Sequence, residues 1–168
     1  MAFYIGEIRK MRKEFFEAYQ DGDYKKALIL GRSILNIYVE NDDCDCMEYA
    51  VDTGNLAMVY DQIQLYDRAV ELYKKAAELK KDYSGESLSY ADTLNNMAIV
   101  LNNMGKQKEA LSLHNKVMEI RDYCLKEQDT LWDESRRLVN PHRVYVDLSQ
   151  KLFDLRNELL EEMSLKSL

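Results

Sequence analysis

An all-α chain of stacked helix-turn-helix repeats is what this sequence predicts, and three observations carry the prediction. Ala98, Gly105, Ala110, His114 and Val117 stand 41 residues after Ala57, Gln64, Ala69, Tyr73 and Ala76, so one stretch is written twice in the same frame. Further back, Gly22, Tyr24 and Ala27 in GDYKKA fit that frame a third time, Ala27 leading Ala69 by 42. One proline, six glycines, 46% apolar and 32% charged residues in a chain of 168 suit a helical protein with a core, and no long Val/Ile/Thr-rich alternation argues for a sheet. Repetition at this period marks a solenoid, in which each unit buries its apolar face against the next.

Every unit has the same internal logic. Small residues twelve apart, Ala57 with Ala69 and Ala98 with Ala110, fall on two antiparallel helices where their backbones come closest. Between the helices lie Asp21-Gly22-Asp23, Gln62 to Leu65 and Asn103-Met104-Gly105, where a glycine accepts the positive φ that ends a helix.

From Phe3 to about Gln20, Ile5, Ile8, Met11, Phe15, Phe16 and Tyr19 recur at three and four residues, the period of an amphipathic helix. Asp23 is placed to cap the next helix, Tyr24 to about Val39, which carries Ala27, Leu28, Leu30, Ile34, Leu35 and Tyr38. The aperiodic acidic segment Glu40 to Cys46 reads as a solvated loop. Met47 to about Ile63 and Tyr66 to about Lys81 form the second pair, with Leu56, Val59, Tyr60, Val70, Leu72, Tyr73 and Leu79 as core. Tyr83 to Glu86 breaks the pattern, and Ser87 or Ser89 caps the third pair, whose second helix starts near Lys106 and runs toward Tyr123 or beyond. The charged segment Lys126 to Arg137 keeps Leu131, Trp132 and Leu138 at helical spacing, so a continued or broken helix is expected. Asn140-Pro141 then starts a closing helix, His142 to about Met163. The expected repeats are residues 3–40, 47–82 and 87–125 of a single 1–168 domain, with 126–168 as a capping segment; a truncated fourth repeat that self-associates is the alternative.

The pattern resembles the tetratricopeptide repeat, and LNNMA and GNLA before the small residue resemble its kinesin light chain variety. The resemblance covers residues 8 to 125, although Phe15 and Gly31 replace the usual small and aromatic residues in the first copy. It implies a right-handed superhelix that binds an extended peptide in its concave groove. In this family the positions two and three before the small residue, and one, four and five after it, face that groove. Here these are Lys13, Arg12, Phe16, Tyr19 and Gln20, then Asn55, Gly54, Met58, Asp61 and Gln62, then Asn96, Asn95, Ile99, Asn102 and Asn103.

A carboxamide both donates and accepts, so Asn55 and Asn96, one repeat apart, and Asn95 beside them are candidates to hold a peptide main chain, as asparagines at this position do in similar repeat proteins. The alternative is that they bond to neighbouring helices or water. Asn102 and Asn103 fit ordinary turn formation. Phe16, Tyr19, Met58 and Ile99 are candidate apolar pockets or ordinary core. Arg9, Arg12 and Lys13 share one helix face and would receive an acidic segment or a carboxylate terminus; a solvated face beside Glu7, Glu14 and Glu17 is the plainer reading.

A net charge of −7 opposes general nucleic-acid binding, which needs clustered Lys and Arg. No apolar run approaches the roughly 20 residues that span a bilayer, and MAFYIGEIRK lacks a signal peptide's apolar core, so a cytoplasmic protein is expected. Cys44, Cys46 and Cys124 are an odd number, and Cys-Asp-Cys lacks the spacing and the histidine of a zinc site. His114 sits at a packing position. Neither a phosphate-binding glycine loop nor a Ser/His/Asp set nor HExxH is present. The expectation is therefore a non-enzymatic module without cofactor or metal, binding a protein or peptide. A homodimer built through the terminal helix is the alternative.

Overall fold

A computed structural model describes residues 3–42 and 46–135, with side chains from 4 to 42 and from 46 to 126. Among the described residues six helices follow one another: α1 Phe3–Gln20, α2 Tyr24–Glu40, α3 Met47–Gln62, α4 Tyr66–Ser84, α5 Leu88–Asn103 and α6 Gln107–Ser135. No strand occurs among the described residues, and the fold is an all-α helical repeat. The chain divides into two compact units, Met1–Arg121 and Asp122–Leu168. Of the second, only the α6 backbone to Ser135 and side chains up to Lys126 are described. The closing helix expected from His142 lies outside the described residues, and so do Asp43, Cys44 and Asp45.

Within the first unit each helix packs against the next in sequence from α1 to α5. The reason lies at the twelve-residue spacing: Ala57, Ala69 and Ala98 are fully buried and Ala110 almost so, letting paired backbones approach. The first pair reaches the same closeness by exchanging sizes. Phe15 stands where the others have alanine and is buried, while Gly31 stands where Tyr73 stands. A Cβ on Gly31 would lie 3.1 Å from the Phe15 ring and 3.0 Å from Leu56 Cδ1, so the glycine makes room for both.

All three turns within pairs close alike. The amides of Asp23, Leu65 and Lys106 donate to the carbonyls of Ala18, Tyr60 and Leu101 at 2.8 to 2.9 Å, and the preceding residue has positive φ. That residue is Gly22 (76°) or Gly105 (77°) in the outer repeats but Gln64 (62°) in the second, where a side chain carries the steric cost that glycine avoids, about 1 kcal/mol.

Caps start three helices. Asp23 accepts from the Lys26 amide at 3.0 Å, Ser87 from Tyr90 at 3.4 Å, and the Cys46 sulfur from Tyr49 at 3.3 Å. The thiol at the end of the acidic segment is thus the N-cap of α3. Helix α4 runs three residues past the expected Lys81, because Tyr83 and Ser84 continue the hydrogen-bonding and only Gly85, at φ 66°, stops it.

Candidate functional site

Helices α1, α3 and α5 stand side by side as one wall, each the first member of its pair. The contact between α3 and α5 is direct, and Arg12 on α1 reaches Asp52 on α3. With Phe15, Ala57 and Ala98 as reference points, equivalent residues of the three helices fall into rows along this wall. One row reads Lys13, Asn55, Asn96; the next reads Phe16, Met58, Ile99; a third reads Tyr19, Asp61, Asn102.

The first row is polar and unevenly engaged. Lys13 is exposed and lies 3.8 Å from Glu17. Asn55 is half-buried and donates weakly to Asp52 at 3.4 Å. Asn96 is half-buried, and its carboxamide makes no hydrogen bond with another described residue. Next to it, the Asn95 carboxamide oxygen is sealed from solvent with no partner, which costs about 1 to 3 kcal/mol if it stays unmet. The second row is apolar and open: Phe16 is 40% exposed, Ile99 44%, and Met58 between them half-buried. Phe16 meets the Phe15 ring edge-on at 5.3 Å, so its outer face is free for a ligand.

The third row carries the charge. Asp61 is half-buried, with the Asn103 carboxamide of α5 beside it as hydrogen-bond donor. Burial raises its carboxyl pKa above the usual carboxylate value, and the Asn103 bond only partly offsets this. Tyr19 stacks on Phe15 at 6.5 Å and meets Tyr24 edge-on at 5.8 Å. Burial, and then the nearby Asp61 charge, raise the phenol pKa of Tyr73 behind it. Asn102 is exposed, and its carbonyl accepts from Gly105 at 2.9 Å to close the turn.

The three basic candidates do not act as a set. Arg9 is exposed and unpaired among the described residues. Arg12 is engaged: Nε and Nη2 grip the buried Asp52 carboxylate at 2.7 to 2.9 Å, and Nη2 also donates to the Tyr38 hydroxyl at 2.7 Å. Its charge is therefore matched within the fold and ties α1 and α2 to α3. The hollow above it, bordered by Tyr4, Ile5, Tyr38 and Glu48, holds about 170 Å³, below the roughly 300 Å³ at which small-molecule pockets begin.

Sequence reasoning did not single out Asp52, and it placed Asp61 on the wall without assigning it a role. A carboxylate on α3 five residues before Ala57, where the third repeat has the neutral Thr93, was the signal for the first. For Asp61 the signal was a carboxylate in a row otherwise filled by Tyr19 and Asn102. His114 is half-buried on α6, and burial lowers its pKa, as befits a packing residue. Among the described residues no group of three or more His, Cys, Asp or Glu is placed to hold a metal, and no helix is long and apolar enough to cross a membrane. Self-association through the terminal helix concerns residues outside those described.

Residues 53–122 match the family model of the tetratricopeptide repeat. No curated protein matches the chain. Among solved structures, BtubC from P. vanneervenii superposes with a TM-score of 0.64 at 18% identity, over 89% of this chain and 61% of its own. The type III secretion translocator chaperone SycD of Yersinia enterocolitica gives 0.62 at 16%, over 95% and 93%. Kinesin light chain TPR-like repeats from Podosopora anserina give 0.63 at 18%, over 96% and 77%. At these identities the likeness is one of fold, and this chain spans about three-fifths of BtubC.

Proposed function

Because this chain is a tetratricopeptide-repeat protein, we propose that it is a non-catalytic, cytoplasmic interaction module whose α1, α3 and α5 wall takes an extended segment of a partner protein. Residues 1–168 act in this reading as one domain, repeats 3–40, 47–82 and 87–125 forming the wall and 126–168 closing it. Asn96 is the observation that carries the proposal. A half-buried carboxamide without a partner among the described residues, one repeat on from Asn55, offers donors and an acceptor to a main chain. Neighbouring helices stand about 8 to 10 Å apart, and an extended chain advances about 3.3 Å per residue, so the two asparagines would meet main-chain groups about three residues apart. Phe16, Met58 and Ile99 would take the side chains between those contacts. Asn95, Asn102, Tyr19, Arg9, Arg12 and Lys13 border the same path, with Arg12 serving to hold the wall together.

The test is capture from a pool of random decapeptides by the wild type and by Asn55→Ala/Asn96→Ala, at matched melting temperature. Each lost amide contact should weaken binding by about 1 to 2 kcal/mol, so the double variant should lose at least tenfold in capture. Equal capture by the two proteins would overturn the amide contacts.

A further inference from the structure

We infer that Asp61 is a receptor for a basic side chain, lysine or arginine, of the segment that lies along the wall. The inference rests on the reading of α1, α3 and α5 as the binding surface and adds to it the charge of the ligand at one position.

Three observations converge. First, no Lys or Arg among the described residues forms an ion pair with Asp61, whereas Asp52, the wall's buried carboxylate, is gripped by Arg12, and Asp92 is met by Arg121 at 2.7 Å. Second, the groups around Asp61 are neutral at pH 7 and come from several elements: Asn103 from α5, Tyr19 from α1 and Tyr73 from α4. Third, an aromatic shelf adjoins it, Tyr19 flanked by Phe15 and Tyr24 with Phe16 exposed alongside. A half-desolvated carboxylate without a cation is an unfavourable arrangement that an incoming ammonium or guanidinium corrects. Aromatic faces next to it favour the same ligand, because a cation over a tyrosine ring is attracted to its π electrons. Burial raises the Asp61 pKa, in keeping with a carboxylate that lacks a positive neighbour.

The wall's charge thus differs from a basic end at Arg9, Arg12 and Lys13 that receives an acidic segment. Of these three on α1, Arg12 is answered by Asp52 and Lys13 by Glu17, which leaves only the exposed Arg9, while the half-buried charge at the α3 and α5 end that no described cation answers is negative.

Two measurements test this. In the random decapeptide selection, peptides captured by the wild type should carry Lys or Arg at one fixed position, and Asp61→Asn, an isosteric change, should reduce that preference about tenfold. An unchanged preference in Asp61→Asn, or captured peptides with no basic position, overturns the inference. The second measurement does not depend on the asparagine contacts. Acetyl-Gly-Arg-Gly-amide titrated into isotopically labelled protein should shift the Asn103 side-chain amide resonances saturably in the wild type and in Asn55→Ala/Asn96→Ala. The shift should vanish in Asp61→Asn, and should fade on acidification at a higher pH than for an ordinary carboxylate. Acetyl-Gly-Gln-Gly-amide should produce none. No shift in the wild type sinks the receptor, whereas a shift that survives while the double asparagine variant still captures the same peptides sinks the amide contacts and leaves the receptor standing.

Discussion

Each of the two seams between repeats is bridged by a cation, and they do it differently. At the first seam, Arg12 reaches from α1 to Asp52 on α3, a residue only 3% exposed, with the Tyr38 hydroxyl completing the set. At the second, Lys80 on α4 is 8% exposed and donates to the Thr93 hydroxyl at 2.8 Å and the Ser89 carbonyl at 3.3 Å, both neutral acceptors on α5. Burial accordingly lowers the Lys80 pKa, with Asp92 opposing it from a distance. The contrast teaches that a buried charge binds a seam tightly only when its removal orphans a second charge.

Breaking the first seam should have the largest effect. Asp52→Ala leaves the Arg12 guanidinium half-buried without its anion and the Tyr38 hydroxyl with one partner fewer; we expect a loss of about 3 kcal/mol in urea unfolding. Arg12→Ala/Asp52→Ala should lose clearly less than the sum of the single changes, and additivity would mean the pair is not coupled.

Filling the same seam comes next. Gly31→Leu forces a side chain into the space shared by Phe15 and Leu56 and should cost about 2 kcal/mol despite leucine's better helix propensity. Pairing it with Phe15→Ala, which restores the size order of the other repeats, should recover part of that loss.

The smallest effect sharpens the comparison at the second seam. Lys80→Met removes a cation that no carboxylate answers, and Thr93 keeps its own bond to the Ser89 carbonyl at 3.1 Å, so nothing is orphaned. At pH 7 stability should change by less than about 1 kcal/mol and can rise. The pH dependence has a definite sign. With the folded pKa of Lys80 below the ordinary 10.5, the unfolded chain holds the proton more tightly between the two values, so wild-type stability contributed by this group rises with pH across that window. The wild type should therefore gain on Lys80→Met as pH approaches 10.5, and parallel profiles would show that Lys80 is not desolvated.

Much of the candidate site was legible before any coordinates. Asn55, Asn96, Met58 and Ile99 were located by register alone, because a repeat that places Ala57 and Ala98 at a helix contact also decides which neighbours face away from it. What register could not reveal is occupancy. Arg12, Lys13, Asn55 and Asn96 belong to one surface in the sequence, yet among the described residues Arg12 is engaged, Asn55 partly engaged and the Asn96 side chain unengaged.

The sequence by itself determined the helical class, the three turns and the pairing of helices, since small residues twelve apart and positive-φ turns are local requirements that repeat. Only the tertiary structure decided which charges meet. Arg12 and Asp52 are forty residues apart on helices that do not adjoin in the chain. Whether a polar group is satisfied depends on distances of a few tenths of an ångström across such seams, which no periodicity encodes. For the same reason Asp61, one carboxylate among many in the sequence, stands out only once its neighbours are in place.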